Sequence, residues 1–175
     1  MVNKRRIKGI AALAAGIMVL AACASSSTLL DEPLMPDART AVVVFMSDKT
    51  SKAQVWDGEK PVGSFKETPG AAQNCIFWRT APGAHTFVAR STNFVNKRMT
   101  LAANRTYYIR IRTIPAPYTT PIAINEATKK DYDDFIAPWR TVKFLTFDDE
   151  WRKNFVTVND GKWLNDVREY LKTIR

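Results

Sequence analysis

A series of short apolar segments, separated by turn-forming residues, constrains the fold of this chain more than any other feature. Segment 105–112 (RTYYIRIR) is the clearest, because its apolar and polar side chains alternate as they do in a strand with one buried face. The pair Asp57-Gly58, between segments 53–56 and 62–65, is typical of a tight β-hairpin. This spacing predicts a mainly β fold, an antiparallel β-sandwich of the immunoglobulin-like kind. The remaining strand-like segments are 40–46, 74–80, 84–90 and 96–101.

Helical patterns are concentrated at the C-terminal end. One predicted helix begins with Thr146 as its cap, with Asp149 three residues later in capping-box spacing, and a second helix covers residues 160–174. The apolar residues of the second helix recur at helical spacing, and we expect this stripe to pack against the sheet. Before these helices the chain carries a Pro-rich crossing at 114–121, extended segments at 122–124 and 142–145, and a short helical segment at 131–137.

The N-terminus has the three parts of an export signal. Four basic residues lie between positions 4 and 8, and the following run, 9–20, is apolar and uncharged. This run has the length of a signal-peptide core and is shorter than the roughly 20 residues that a membrane-spanning helix requires. It ends in segment 20–23 (LAAC), which resembles the lipobox of bacterial lipoproteins.

The lipobox resemblance implies that residues 1–22 are removed and that Cys23 becomes the diacylglycerol-bearing first residue. Two or three acyl chains give stable anchoring, so we expect a protein attached to a membrane by its lipid and without a transmembrane segment. Ala24 stands where an Asp would resemble an inner-membrane retention signal. The analogy therefore favours the outer membrane, on its periplasmic side.

Cleavage leaves 153 residues, which suits a single domain at 39–175 with a helical extension at 146–175. Residues 23–38 carry a Ser run, two prolines and no apolar period, and this pattern is typical of a flexible tether with a mean reach of about 20 Å. The net charge falls from +9 to +5, because four basic residues belong to the signal. A modest positive charge suits an anionic envelope polymer or a lipid surface as partner and gives no argument for nucleic acid.

Cys75 and His85 are the candidate catalytic residues. A Cys–His pair could supply a nucleophile and its base, but Cys75 lies in the apolar segment 74–80, where a small buried side chain is expected. His85 is the one histidine of the chain, and a metal site requires several converging ligands. The sequence therefore predicts a structural His85, no catalytic residue, no metal and no cofactor.

Two acidic clusters, 131–134 and 148–150, are the other candidates for ion binding. Neither has the twelve-residue spacing and central Gly of an EF-hand loop. The second cluster falls in the first turn of a predicted helix, where carboxylates favour the helix dipole. We expect the first to be a solvated turn, with a weak surface Ca²⁺ site as the alternative.

A basic sheet face is the candidate ligand-binding site. In segment 105–112, the side chains that alternate with the apolar ones should point to solvent, and further basic residues come from strands expected nearby. Arg presents planar donors to carboxylate or phosphate, and Tyr can stack on a sugar, so this face could bind an anionic envelope polymer. The alternative is an ordinary solvated sheet face. The candidate residues are Tyr108, Arg110, Arg112, Arg98 and Arg90, with Lys97 beside them.

Three segments carry a resemblance to a known family. Segments 57–63 (DGEKPVG), 82–86 (PGAHT) and 105–110 (RTYYIR) resemble the turn and core-strand motifs of small bacterial lipoproteins with a β-sandwich domain of unknown function close to the PEGA type. The resemblance covers about residues 40–112 and implies the fold, without an enzymatic activity. The family usually has Gly where this chain has Asn104; Asn also tolerates positive φ, so we expect the turn to be kept.

These features predict a membrane-anchored, non-enzymatic binding or structural module of the cell envelope. One alternative is an accessory subunit that docks onto an envelope protein complex through its C-terminal helices, and a hydrolase is a more distant one. An exposed apolar patch on the last helix would favour docking. A cleft with convergent titratable groups would favour an enzyme.

Overall fold

The structure is a computed structural model that describes residues 27–48, 52–65, 73–119, 121–137, 142–157 and 161–175. The predicted signal peptide at 1–22 and the lipidation residue Cys23 lie outside the described residues. Within the described ranges, no helix is long and apolar enough to cross a membrane. The strands are β1 (Ser27–Leu29), β2 (Ala41–Asp48), β3 (Gln54–Asp57), β4 (Lys60–Ser64), β5 (Gln73–Thr80), β6 (Gly83–Arg90), β7 (Phe94–Leu101), β8 (Thr106–Thr113), β9 (Ile122–Ala127) and β10 (Lys143–Phe147), and the helices are α1 (Lys129–Ile136), α2 (Asp149–Thr157) and α3 (Lys162–Thr173).

The strands form two sheets, which confirms the predicted mainly β fold with helices at its C-terminal end. The larger sheet has the order β1-β10-β5-β2-β8-β9, and the smaller sheet has the order β4-β3-β6-β7. In the larger sheet β2 pairs parallel with β8, and β5 pairs parallel with β10. The larger sheet is therefore mixed, and the predicted purely antiparallel arrangement is wrong. Several other elements lie between the two members of each parallel pair along the chain, and such long connections permit parallel pairing, which a tight hairpin does not.

The central strand β2 is buried on both faces. Its residues 41–46 are at most 1% exposed, and they alternate between two apolar clusters. The main core lies between the sheets, and the second cluster lies on the outer face of the larger sheet, where α1 contributes Tyr132 and Phe135. Burial on both faces explains why this segment is continuously apolar rather than alternating.

The two C-terminal helices pack on the main core, as expected for the last one. Val167 of α3 is fully buried, and Trp163 and Tyr170 are partly buried against the same cluster. The start of α2 differs from the prediction, because Asp148 rather than Thr146 caps it by accepting the N–H of Trp151 at 2.7 Å. Thr146 belongs to β10, which continues through Phe147 because that side chain is buried in the core.

Two predicted turns are confirmed. Gly58 has φ +56° in the two-residue turn between β3 and β4, where Asp57 pairs with Lys60. Asn104 has φ +55° just before β8, the left-handed conformation that Asn tolerates better than most residues.

The segment predicted as a flexible tether, 23–38, is packed against the domain from Ser27 onward. β1 pairs antiparallel with β10, and Leu30 and Leu34 lie against the second cluster. The open edge of β10 offers backbone N–H and C=O groups that a short extended segment can satisfy, and no local pattern in the sequence reveals this. The prediction of a flexible tether now applies only to residues 24–26, which lie outside the described residues.

Candidate functional site

The predicted basic face is divided between the two sheets. Tyr108, Arg110 and Arg112 lie on β8 of the larger sheet, whereas Arg90 and Arg98 lie on β6 and β7 of the smaller sheet. The structure does not bring the five side chains together, and the expectation that they share one face is wrong. The cause is the change of sheet between β7 and β8, which strand propensity does not indicate.

Helix α1 covers most of the β8 part of this face. The ring of Tyr108 stacks on that of Tyr132 at 5.2 Å, and the guanidinium of Arg110 lies 5.6 Å from the ring centre of Phe135. Tyr108 and Arg110 are half-buried, and burial raises the pKa of the Tyr108 hydroxyl. Arg112 is exposed as expected, whereas the prediction that Tyr108 and Arg110 are exposed is wrong.

Arg90 is a packing residue between the smaller sheet and α3. Its guanidinium donates to the Asp166 carboxylate and to the Gln54 side-chain oxygen, both at 3.2 Å. The same group lies 5.6 Å from the ring centres of Phe94 and of Trp163. The Arg90 guanidinium is therefore used in contacts within the protein.

Arg98 lies at a surface cleft of about 350 Å³, which we call the Arg98 cleft. The cleft is bounded by the β3–β4 turn, β6, β7 and the end of α3, and its lining includes Arg98, Arg175, His85, Asp57 and Glu59. Arg98 and Arg175 are exposed. Two guanidinium groups at one concave surface can hold a carboxylate or a phosphate.

Asp57 and His85 form a fixed polar cluster in the wall of the Arg98 cleft. Nδ1 of His85 lies 2.9 Å from each carboxylate oxygen of Asp57, and Trp78 Nε1 donates to the same carboxylate at 3.0 Å. Nε2 of His85 lies 2.9 Å from the carbonyl oxygen of Ala81. Both imidazole nitrogens thus face acceptors, and neither is directed at a nucleophile. The geometry agrees with the structural role predicted for His85.

Cys75 is not part of this cluster. It is fully buried in the second cluster on the outer face of the larger sheet, whereas His85 belongs to the smaller sheet. Burial raises the pKa of the Cys75 thiol to about 12. The prediction of a buried strand cysteine is confirmed, and the Cys–His pair is not formed.

The acidic residues of the cluster at 131–134 cap helix α1 and form ion pairs along it. Asp131 accepts the backbone N–H of Thr128 in a capping box, and that hydrogen bond lowers the pKa of the Asp131 carboxyl. Asp133 and Asp134 pair with the lysines four residues before them at 2.7 and 2.5 Å. Among the described residues, no group of three or more His, Cys, Asp or Glu side chains is arranged to hold a metal ion.

Sequence reasoning missed part of the Arg98 cleft. Arg175 follows the apolar stripe of α3, and Glu59 lies in a hairpin turn, so neither position indicates a binding site. Asp57 is recognisable in the sequence only as a turn residue. These side chains line one cleft because α3 packs against the smaller sheet, a tertiary contact without a local signal.

Comparison of the chain with protein-family models, with curated proteins and with solved structures finds no match in any of the three. The resemblance to PEGA-type lipoproteins therefore stays a prediction.

Proposed function

We propose that this chain is a lipid-anchored protein of the bacterial cell envelope, held through Cys23 in the outer membrane on its periplasmic side. Its domain is a non-enzymatic module that binds an anionic envelope polymer, lipopolysaccharide or peptidoglycan, in the Arg98 cleft. The same proposal includes an immunoglobulin-like, PEGA-like β-sandwich as the fold of this domain.

The position of Arg98 is the observation that carries this proposal. Arg90 and Arg110 lie against aromatic rings, and Arg112 is exposed on β8 outside the cleft. Arg98 lines this cleft, and Arg175 lines it as well. A charge-assisted hydrogen bond at such a site contributes about 1.5–3 kcal/mol, more than the 0–1 kcal/mol of a typical exposed ion pair.

The Asp57–His85 pair supports a binding module rather than a hydrolase. An Asp–His pair serves as a base only when the far imidazole nitrogen is directed at a nucleophile. In this chain that nitrogen, Nε2, faces the carbonyl oxygen of Ala81.

Docking through the C-terminal helices has less support. The large apolar side chains that are exposed in the described ranges are Met35, Ile114 and Tyr118, and none of them lies on α3. The apolar stripe of α3 is used against the main core.

Co-sedimentation of a soluble form, residues 24–175, with purified peptidoglycan and with lipopolysaccharide tests the binding proposal. Arg98→Gln should weaken binding about 10- to 150-fold, as expected for the loss of one charge-assisted contact. Arg112→Gln is the matched control, since it removes the same charge from an exposed position on the other sheet. No binding by the wild type, or equal losses in both variants at an unchanged melting temperature, would refute the cleft as the site.

The anchor is tested separately by metabolic labelling with a fatty-acid probe. Cys23→Ser should abolish incorporation, because only the thiol accepts the diacylglyceryl group. Equal labelling of wild type and variant would rule out lipidation at Cys23.

A further inference from the structure

We infer that the domain rests on the phospholipid headgroups with one defined end, which we call the basic end: the loops that carry Arg39 and Arg105 and the end of β5 that carries Arg79, with Met35 beside them. This inference rests on the proposed lipid anchor at Cys23. It does not depend on what the Arg98 cleft binds.

Strand registers place the beginning of β1 close to one end of the larger sheet. Counted across the neighbouring strands, Ser27 is level with Val43 of β2, two residues after Ala41, where β2 begins. Two residues of a strand span about 7 Å. The pairs that connect these positions are Ser27–Phe147, Leu145–Ile76 and Val43–Trp78.

The covalent reach of the anchor then limits the distance to the membrane. Cys23 precedes Ser27 by four residues, and four residues span at most about 14 Å. Cys23 can therefore extend at most about 7 Å beyond the level at which β2 begins. The headgroup layer of one leaflet is itself about 5–7 Å thick, so this end of the domain lies in contact with it.

The side chains at this end suit phospholipid headgroups. Arg39 and Arg105 precede β2 and β8, Arg79 lies near the end of β5, and these are three adjacent strands. All three side chains are exposed. Guanidinium groups bind phosphate, and the exposed side chain of Met35 can enter the headgroup layer. The carbonyl of Met35 accepts a hydrogen bond from Arg79 Nη2 at 2.8 Å, so the two residues are held together.

The loops that carry Arg39 and Arg105 are hydrogen-bonded to each other. The N–H of Asn104 donates to the carbonyl oxygens of Asp37 and of Thr40, both at 2.9 Å. The Asp37 carboxylate in turn accepts the N–H of Arg39 at 2.8 Å. The basic end is therefore a fixed surface rather than a set of independent loops.

The acidic residues at the same end are Asp37, in the loop before β2, and the cluster 148–150. Residues 148–150 begin α2 directly after β10, and β10 is separated from β2 by β5. Asp148 caps α2, and Asp149 pairs with Arg152 at 2.7 Å. This distribution of charge favours a tilt that brings the β2 and β8 side, rather than α2, onto the phosphates.

Fluorescence quenching on vesicles tests this orientation. The lipidated protein is reconstituted in phosphatidylethanolamine–phosphatidylglycerol vesicles that contain a headgroup nitroxide lipid. A dye is placed on Ala102→Cys, in the loop before β8, or on Thr92→Cys, in the turn after β6. The eight residues of β6 separate the two ends by about 26 Å, and Cys75 is buried and Cys23 acylated, so only the introduced thiol is labelled.

Quenching at position 102 should exceed that at position 92 at least about twofold, because collisional quenching requires contact with the headgroup layer. Arg39→Gln/Arg105→Gln should lower the quenching at 102 while flotation with the vesicles is unchanged, and Arg112→Gln should leave it as it is. Flotation with equal quenching at both positions would overturn the orientation alone. No effect of the double variant would overturn the role of the arginines. Failure to float would refute the anchor and this inference with it, without bearing on the Arg98 cleft.

Discussion

The Nδ1 atom of His85 lies 2.9 Å from the carboxylate of Asp57, and the two residues lie on the neighbouring strands β6 and β3 of the smaller sheet. The side chains of both residues are 13% exposed. Through Nε2 and the carbonyl of Ala81, the same imidazole ties the β5–β6 turn to the β3–β4 hairpin. This pair organises one wall of the Arg98 cleft without offering a free base.

Asp57→Ala should lower the free energy of unfolding by about 1–3 kcal/mol, because it leaves Trp78 Nε1 and His85 Nδ1 without their acceptor. Asp57→Asn should cost less, since its amide oxygen can still accept one of the two bonds. Urea unfolding followed by Trp fluorescence measures both variants. Two variants within experimental error of the wild type would contradict a structural role for the pair.

Gly63→Ala should also destabilise the fold, by about 1–3 kcal/mol, because the core has no room for a methyl group at that position. An added Cβ would lie 2.6 Å from Phe147 Cδ2 and 3.1 Å from Ile76 Cδ1. Gly58→Ala is the comparison: its Cβ would meet no atom, but its φ of +56° costs about 1–2 kcal/mol. Phe147→Leu should partly rescue Gly63→Ala and not Gly58→Ala in a double-mutant cycle. Equal rescue of both would show that crowding is not the cause.

Cys75 should react with a thiol reagent only when the protein unfolds. With its pKa raised to about 12, the thiolate fraction at pH 8 is about 10⁻⁴, and the side chain is fully buried. Cys75→Ala should lower the free energy of unfolding and leave polymer binding unchanged. The measurement is the labelling rate of the lipidated protein in buffer and in urea. Rapid labelling in buffer would argue for an exposed thiol.

Acid should lower the free energy of unfolding, because Asp37 and Asp131 become protonated. Backbone hydrogen bonds from Arg39 and Thr128 lower the pKa of these carboxyls below the ordinary value of 3.8. The stability they contribute is present above about pH 3.8 and is lost as the pH falls through the folded-state pKa. Asp131→Asn should therefore flatten the decline of the urea midpoint between pH 4 and pH 2.5, relative to the surface control Glu32→Gln. An unchanged slope would mean that the capping box contributes nothing to acid stability.

The strand and helix positions could be predicted from the sequence because their signals are local. The alternation in 105–112, the turn residues Gly58 and Asn104, and the apolar stripe that became α3 each depend on residues a few positions apart. Only the tertiary structure decided which strands share a sheet, and with that it separated Arg90 and Arg98 from Tyr108 and Arg110.

By itself the sequence determined the lipobox-like segment, the mainly β character and the burial of Cys75, since each follows from residue types in a short window. Tertiary structure decided that Ser27 joins the sheet, that α1 covers Arg110 and that Arg175 lines the same cleft as Arg98. These contacts join residues dozens of positions apart. Their free energy comes from strand edges and apolar surfaces that exist only after the chain has folded.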